Sequence, residues 1–143
     1  MAFVSDVFDI SMALMDELDS TGDAETSDTT EYKNRTPAIM NILIGECYPY
    51  SEDYVSGSRR SGWVPVATTD DYITGVDDTL CLSVMPYGLA ASLLIDENPT
   101  AANYFQQRYE ALLNRFGREV PASAWETVED VYGGIECGEF GIW

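Results

Sequence analysis

Two pairs of adjacent carboxylates, Asp70 with Asp71 and Asp77 with Asp78, are by type the residues best suited to acid-base chemistry, since two carboxyl groups alone can cleave a glycosidic bond. Little else in the chain would assist them. There is no histidine, so the commonest general base and the commonest metal ligand are missing, and no Ser/His/Asp or Cys/His set can form. Cys47, Cys81 and Cys137 are far apart and have no CxxC spacing, which excludes a paired-thiol zinc site and points to reduced thiols. The acidic run at 20–28 invites comparison with a calcium loop. However, Ala24 stands where that loop's sharp turn needs glycine, and no glutamate falls twelfth from Asp19. The glycines at 133–141 have no strand before them and no helix after, so they form no dinucleotide fingerprint. With 25 acidic residues in a chain of 143, neighbouring acids arise by composition. We read the two pairs as helix caps and solvated groups, and expect no enzyme, no cofactor and no metal.

The same acids bound the partners. Seven basic residues leave a net charge of −18, which argues against an electrostatic grip on nucleic acid or on an anionic membrane surface. It is compatible with lining a passage through which DNA slides without sticking, because like charge repels the phosphates. The first ten residues lack a basic region followed by a long apolar one, so no secretion signal is expected. The hydrophobic content of 45% suits one domain with a real core.

That core should form around residues 80–95, LCLSVMPYGLAASLLI, a run without charge and with only Ser83 and Ser92 as polar side chains. A helix apolar nearly all round is a buried central element, and this one is too short to span a bilayer, which takes about 20 residues. Pro86 should kink it or restart it, and Gly88 should let a neighbour approach closely.

The other elements follow from periodicity and punctuation. A first helix is expected over 6–18, capped by Ser5, with Val4, Val7, Phe8, Leu14, Met15 and Leu18 inward. A second is expected over 29–47, with Tyr32, Ile39, Ile42, Leu43 and Cys47 inward and Lys33 and Arg35 facing acids. Asn98-Pro99 opens a further helix, expected to stop at Gly117, with Tyr104, Phe105, Tyr109, Leu112, Leu113 and Phe116 as its buried stripe. Residues 49–78 form an irregular insertion, in which 63–67 could pair with 72–74 as a short hairpin and Arg59-Arg60 form an exposed tip. The fold class is therefore mainly α: a bundle of about four helices around a central apolar hairpin at 80–116. The helical domain covers 1–117, and 118–143 is an extended tail.

ITGVDDTL, then LCLSVMPYGLAASLLIDENPTAANYFQQRYEALLNRF, resembles the head-tail connector (adaptor, head-completion) proteins of tailed bacteriophages, in which an acidic turn leads into a helix, a DEN or DED turn, and an F-xx-RYE-LL helix. EYKNRTPAIMNILIGECYPY is similar to the second helix and exit turn of related prophage proteins, so the resemblance spans about residues 31–116. It implies a virion structural protein at the head-tail interface, present in the bacterial cytoplasm during assembly. Such a protein forms a homo-oligomeric ring, commonly a dodecamer, under the portal protein. It meets tail-completion proteins and extends a channel through which DNA passes without specific binding. The N-terminal helix with its acidic loop and the aromatic glycine-rich tail have no counterpart in that pattern. The rival reading is an acidic protein-binding module, a nucleic-acid mimic or assembly factor acting on a basic protein surface. For subunit or partner contacts the expected anchors are Tyr50, Tyr54 and Trp63 in the insertion and Trp125, Phe140 and Trp143 in the tail, because Trp and Tyr anchor interfaces most often.

Overall fold

Most of the apolar run at 80–95 is buried, as expected, although Leu82 and Ile95 near its ends are exposed. In a computed structural model, which describes residues 1–51 and 65–119, helix α4 (Met85–Leu94) buries eight of its ten residues and lies between the other helices. The run breaks at Val84, where a short helix α3 (Asp78–Ser83) ends and α4 begins. Pro86 sets that break: in the first turn of α4 its missing N–H costs no helical hydrogen bond. Asp77 caps α3, its carboxylate accepting from the Leu80 N–H at 3.4 Å.

Around α4 stand α1 (Val4–Leu14), α2 (Thr30–Cys47) and α5 (Pro99–Glu119), so the architecture is the expected mainly helical one. The hairpin of α4 and α5 turns at Asn98, whose side-chain oxygen accepts from the Ala101 N–H at 3.2 Å and whose carbonyl accepts from the Ala102 N–H at 2.9 Å. Gly88 lets two neighbours close on α4 at once. A Cβ there would lie 2.8 Å from Leu43 Cδ2 of α2 and 3.0 Å from ring carbons of Tyr109 of α5. On α1, the buried Ser11 hydroxyl is shared between the carbonyls of Val7 (2.8 Å) and Pro86 (3.1 Å), tying that helix to the start of α4.

Several boundaries and faces differ from expectation, each for a local reason. Helix α1 begins at Val4 with Phe3, not Ser5, at its cap. Its first free N–H groups, on Val4 and Ser5, reach the carbonyls of Asp71 (3.0 Å) and Thr69 (2.8 Å), while the Asp6 carboxylate accepts the Phe3 N–H at 3.0 Å. The helix stops at Leu14, not Leu18, because Asp16 takes a left-handed φ of 59° and the Glu17 N–H bonds back to the Met12 carbonyl at 2.9 Å. Leu18 is therefore off the helix and exposed, and Met12 fills the core instead.

In α2 the inward face is Tyr32, Thr36, Met40, Leu43, Ile44 and Cys47, and Ile42 is 64% exposed. Thr36 can be buried because its hydroxyl donates to the Tyr32 carbonyl at 2.8 Å. In α5 the core takes Phe105, Tyr109 and Leu113, while Tyr104 is 61% exposed and lies edge-on to Phe105. The helix also runs through Gly117, where the Tyr50 ring lies so close that a Cβ would come within 2.8 Å of it.

Of the insertion, the described part is stitched down rather than free. Asn41 of α2 accepts the Val66 N–H at 2.7 Å and donates to its carbonyl at 2.9 Å, and Phe3 pairs with Tyr72 in an antiparallel bridge with the rings stacked at 4.0 Å. The hairpin partner expected for 72–74 lies partly outside the described residues, as do the Arg59-Arg60 tip and residues 120–143.

Candidate interaction surface

Each carboxylate pair has structural work. Asp71 accepts the N–H groups of Ala67 and Thr68, both at 2.8 Å, and these two bonds hold its carboxyl below the usual value. They close the turn whose carbonyls cap α1. Asp77 caps α3, and Asp78 meets the Met1 amino group at 3.0 Å.

A lowered carboxyl pKa contributes stability above the unfolded value and loses it as pH falls through the lower folded one. The Val4 and Ser5 amides should therefore be protected at neutral pH. Asp71→Asn should speed their hydrogen exchange while leaving the amides of Leu89 and Leu93 unchanged, as exchange followed residue by residue would show.

The turn from α1 to α2 is a second acidic cluster. Asp19 accepts the Thr21 hydroxyl (2.7 Å) and the N–H groups of Thr21 and Asp23 (both 2.8 Å), and chiefly the hydroxyl lowers its pKa. Asp16, Glu17, Leu18, Asp19, Thr26 and Asp28 line a hollow of about 210 Å³. Among the described residues no group of three or more His, Cys, Asp or Glu is arranged to hold a metal ion. Lys33 pairs with Glu25 of this turn at 2.9 Å, the kind of partner expected for it.

Two thiols sit in the core. Cys47 lies 3.5 Å from the Tyr109 hydroxyl, which itself donates to Glu46 at 2.9 Å. Burial pushes the Cys47 thiol up to about 11 and that of Cys81 up to about 12, so neither supplies thiolate at neutral pH. In a Cys137→Ser variant, a thiol reagent should label the folded protein no faster than the fold opens. Labelling within the mixing time would contradict this burial.

Of the anchors expected from sequence, Tyr50 is half-buried, lying against the core cluster and the Gly117 backbone. Tyr54, Trp63, Trp125, Phe140 and Trp143 lie outside the described residues. The surface that sequence reading missed is on the hairpin. Ala91, Ser92, Ile95, Pro99, Ala102, Asn103 and Gln106 line a groove of about 290 Å³ with no ionisable side chain, and Ile95 is 62% exposed. A count of charge by element could have found it. Pro99–Glu119 carries three arginines and two glutamates, while the other described residues carry sixteen acidic and two basic side chains. No family model, no curated protein and no solved structure matches the chain.

Proposed function

We propose that the chain is a non-enzymatic structural subunit of a tailed phage or prophage, a head-tail connector that assembles as a ring under the portal and extends the DNA channel toward the tail. The reading rests on the resemblance of residues 31–116, and the observation that carries it over its rival is the uneven placement of charge. A nucleic-acid mimic needs carboxylates over its whole binding surface. A channel subunit needs them where DNA passes and must keep other faces free to meet protein. Helix α5, with three arginines against two glutamates, and the uncharged groove beside it are faces of this low-acid kind in a chain of net charge −18.

Negative-stain imaging of the purified protein, alone and mixed with the portal protein of the same genome, tests the proposal. Rings seated on the portal are expected. Deleting residues 133–143, which carry Phe140 and Trp143, should leave a folded chain that no longer adds to the portal. Failure of the full-length chain to bind the portal, together with capture by basic DNA-binding proteins in competition with DNA, would establish the acidic module instead.

A further inference from the structure

We infer that the groove between α4 and α5 receives Tyr104 of a second copy of this chain, with Arg108 of that copy meeting the carboxylates at the groove's ends, in a head-to-tail contact. The inference deepens the connector reading, on which it rests for its purpose, by naming the residues through which ring subunits meet.

The groove selects its occupant by charge. Its floor is apolar and uncharged, but its ends are acidic. At the hairpin turn Asp96 follows Ile95, is exposed, and makes no ion pair among the described residues. Glu97 beside it accepts from the Tyr32 hydroxyl, and Glu17 lies close enough to act on the same hydroxyl. Toward the other end, Gln106 of the lining donates to Glu110 at 3.1 Å, and Glu46 of α2 accepts from the Tyr109 hydroxyl at 2.9 Å. The described cation among these groups is Arg35, which lies over the Tyr32 ring at 5.6 Å from its centroid. An occupant must therefore be apolar in the middle and basic beside it, and an acidic element is repelled.

The outer side of α5 has that chemistry. At about 100° per residue, Pro99, Asn103, Gln106 and Glu110 run along the groove, while Ala101, Tyr104, Arg108, Ala111 and Arg115 run along the opposite side and include no acid. Tyr104 is 61% exposed. Arg108, one turn along, is also exposed and lies over the Tyr87 ring near the start of α4, at the far end of the hairpin from Asp96. Of the large apolar side chains exposed on the described surface, Tyr104 is the one with a cation and no acid next to it in its chain or on its helix. Met1 meets Asp78, Leu18 lies between Glu17 and Asp19, Tyr72 follows Asp71, Ile95 precedes Asp96, and Ile42 and Leu82 lie one turn from Glu46 and Asp78. The groove, of about 290 Å³, suits a ring: Ala91 and Ala102 give it a floor of small side chains, and the amides of Asn103 and Gln106 offer partners to a phenol hydroxyl.

Because knob and slot lie on opposite sides of one helix, each copy can use both at once. A contact between two different surfaces is heterologous, and repetition closes a ring or runs on as a chain. Two copies at −18 repel at long range, but beyond about 10 Å at 0.1 M salt that repulsion is screened, so the groups at the contact decide it.

The test uses the full chain and sedimentation velocity over a range of concentrations at about 0.15 M salt, with circular dichroism melts to show that each variant is folded. Wild type should associate. Tyr104→Ala and Arg108→Glu should each weaken self-association by about tenfold or more, as should Asp96→Lys combined with Glu110→Lys, while Ile42→Ala on α2 should leave it unchanged. Mixed in equal amounts, the Arg108→Glu chain and the Asp96→Lys, Glu110→Lys chain should associate as wild type does, because every contact in an alternating assembly then pairs opposite charges. Wild type that stays monomeric throughout, or a mixture that associates no better than either variant alone, overturns the contact. Portal binding is read separately. Rings that still form on the portal with Arg108→Glu would sink this contact and leave the connector reading standing, whereas a chain that self-associates in this way and ignores the portal would sink the connector reading alone.

Discussion

Replacing Leu93 by alanine is expected to cost about 2 to 5 kcal/mol of folding stability. Leu93 is 1% exposed on the helix that α1, α2, α3 and α5 all touch, so its truncation leaves behind both lost apolar burial and a cavity that the surrounding helices can only partly close. Against the roughly 5 to 15 kcal/mol that holds a domain of this size together, such a loss is large. Two control variants make the test specific. Leu112→Ala on half-buried Leu112 should cost clearly less, and Ile42→Ala, on a residue that faces solvent, should stay within about 0.5 kcal/mol. Chemical denaturation of the three variants beside wild type measures all of this. Equal losses at Leu93 and Ile42 would mean that the faces of α2 and α4 are assigned wrongly.

Gly88→Val should cost about 3 kcal/mol, the upper end of what overpacking usually does. The first methyl-sized atom already meets Leu43 at 2.8 Å and Tyr109 at 3.0 Å. Leu43 can swing its terminal methyl, but the Tyr109 ring is held by its hydrogen bond to Glu46 and by burial on its faces, so α5 itself must move. A valine adds two more carbons to that collision. Alanine at the same position gains about 1 kcal/mol in helix propensity over glycine, which offsets part of the clash, so Gly88→Ala should fall between wild type and valine. A valine variant as stable as wild type would show that α2 and α5 do not close on α4 at this point.

These two sites were legible from sequence, and the reason is common to both. An uncharged run, a proline within it and a glycine two residues later are local facts, and a buried helix with a restart and a close approach is their local consequence. The Asn98-Pro99 start of α5 belongs to the same kind of inference. What was not legible depends on residues distant in the chain. Gly117 has the chemistry of a helix stop, yet the helix passes through it, and its lack of a side chain serves the Tyr50 ring instead. Thr36 looks polar by type, but its bond to the Tyr32 carbonyl within the helix satisfies its hydroxyl and lets it share the buried face with Met40 and Ile44, a face that leaves Ile42 in water. The end of α1 was missed because an aspartate, not a glycine, takes the left-handed position. The groove was missed because hydrophobic periodicity marks what a helix buries and says little about which exposed face lacks charge.

The capping of α1 by the carbonyls of Thr69 and Asp71 has a consequence for the order in which the fold can be assembled. A helix of eleven residues is too short to persist in water on its own, and this one leaves its leading N–H groups to partners more than sixty residues downstream. Its tie at Ser11 reaches further still, to Pro86. Although α1 comes before the other described helices in the chain, it is therefore among the last of them to settle. Until residues 65–86 have emerged and docked, Val4, Val7, Phe8 and Met12 have no finished surface to cover, and the nascent chain carries them unburied.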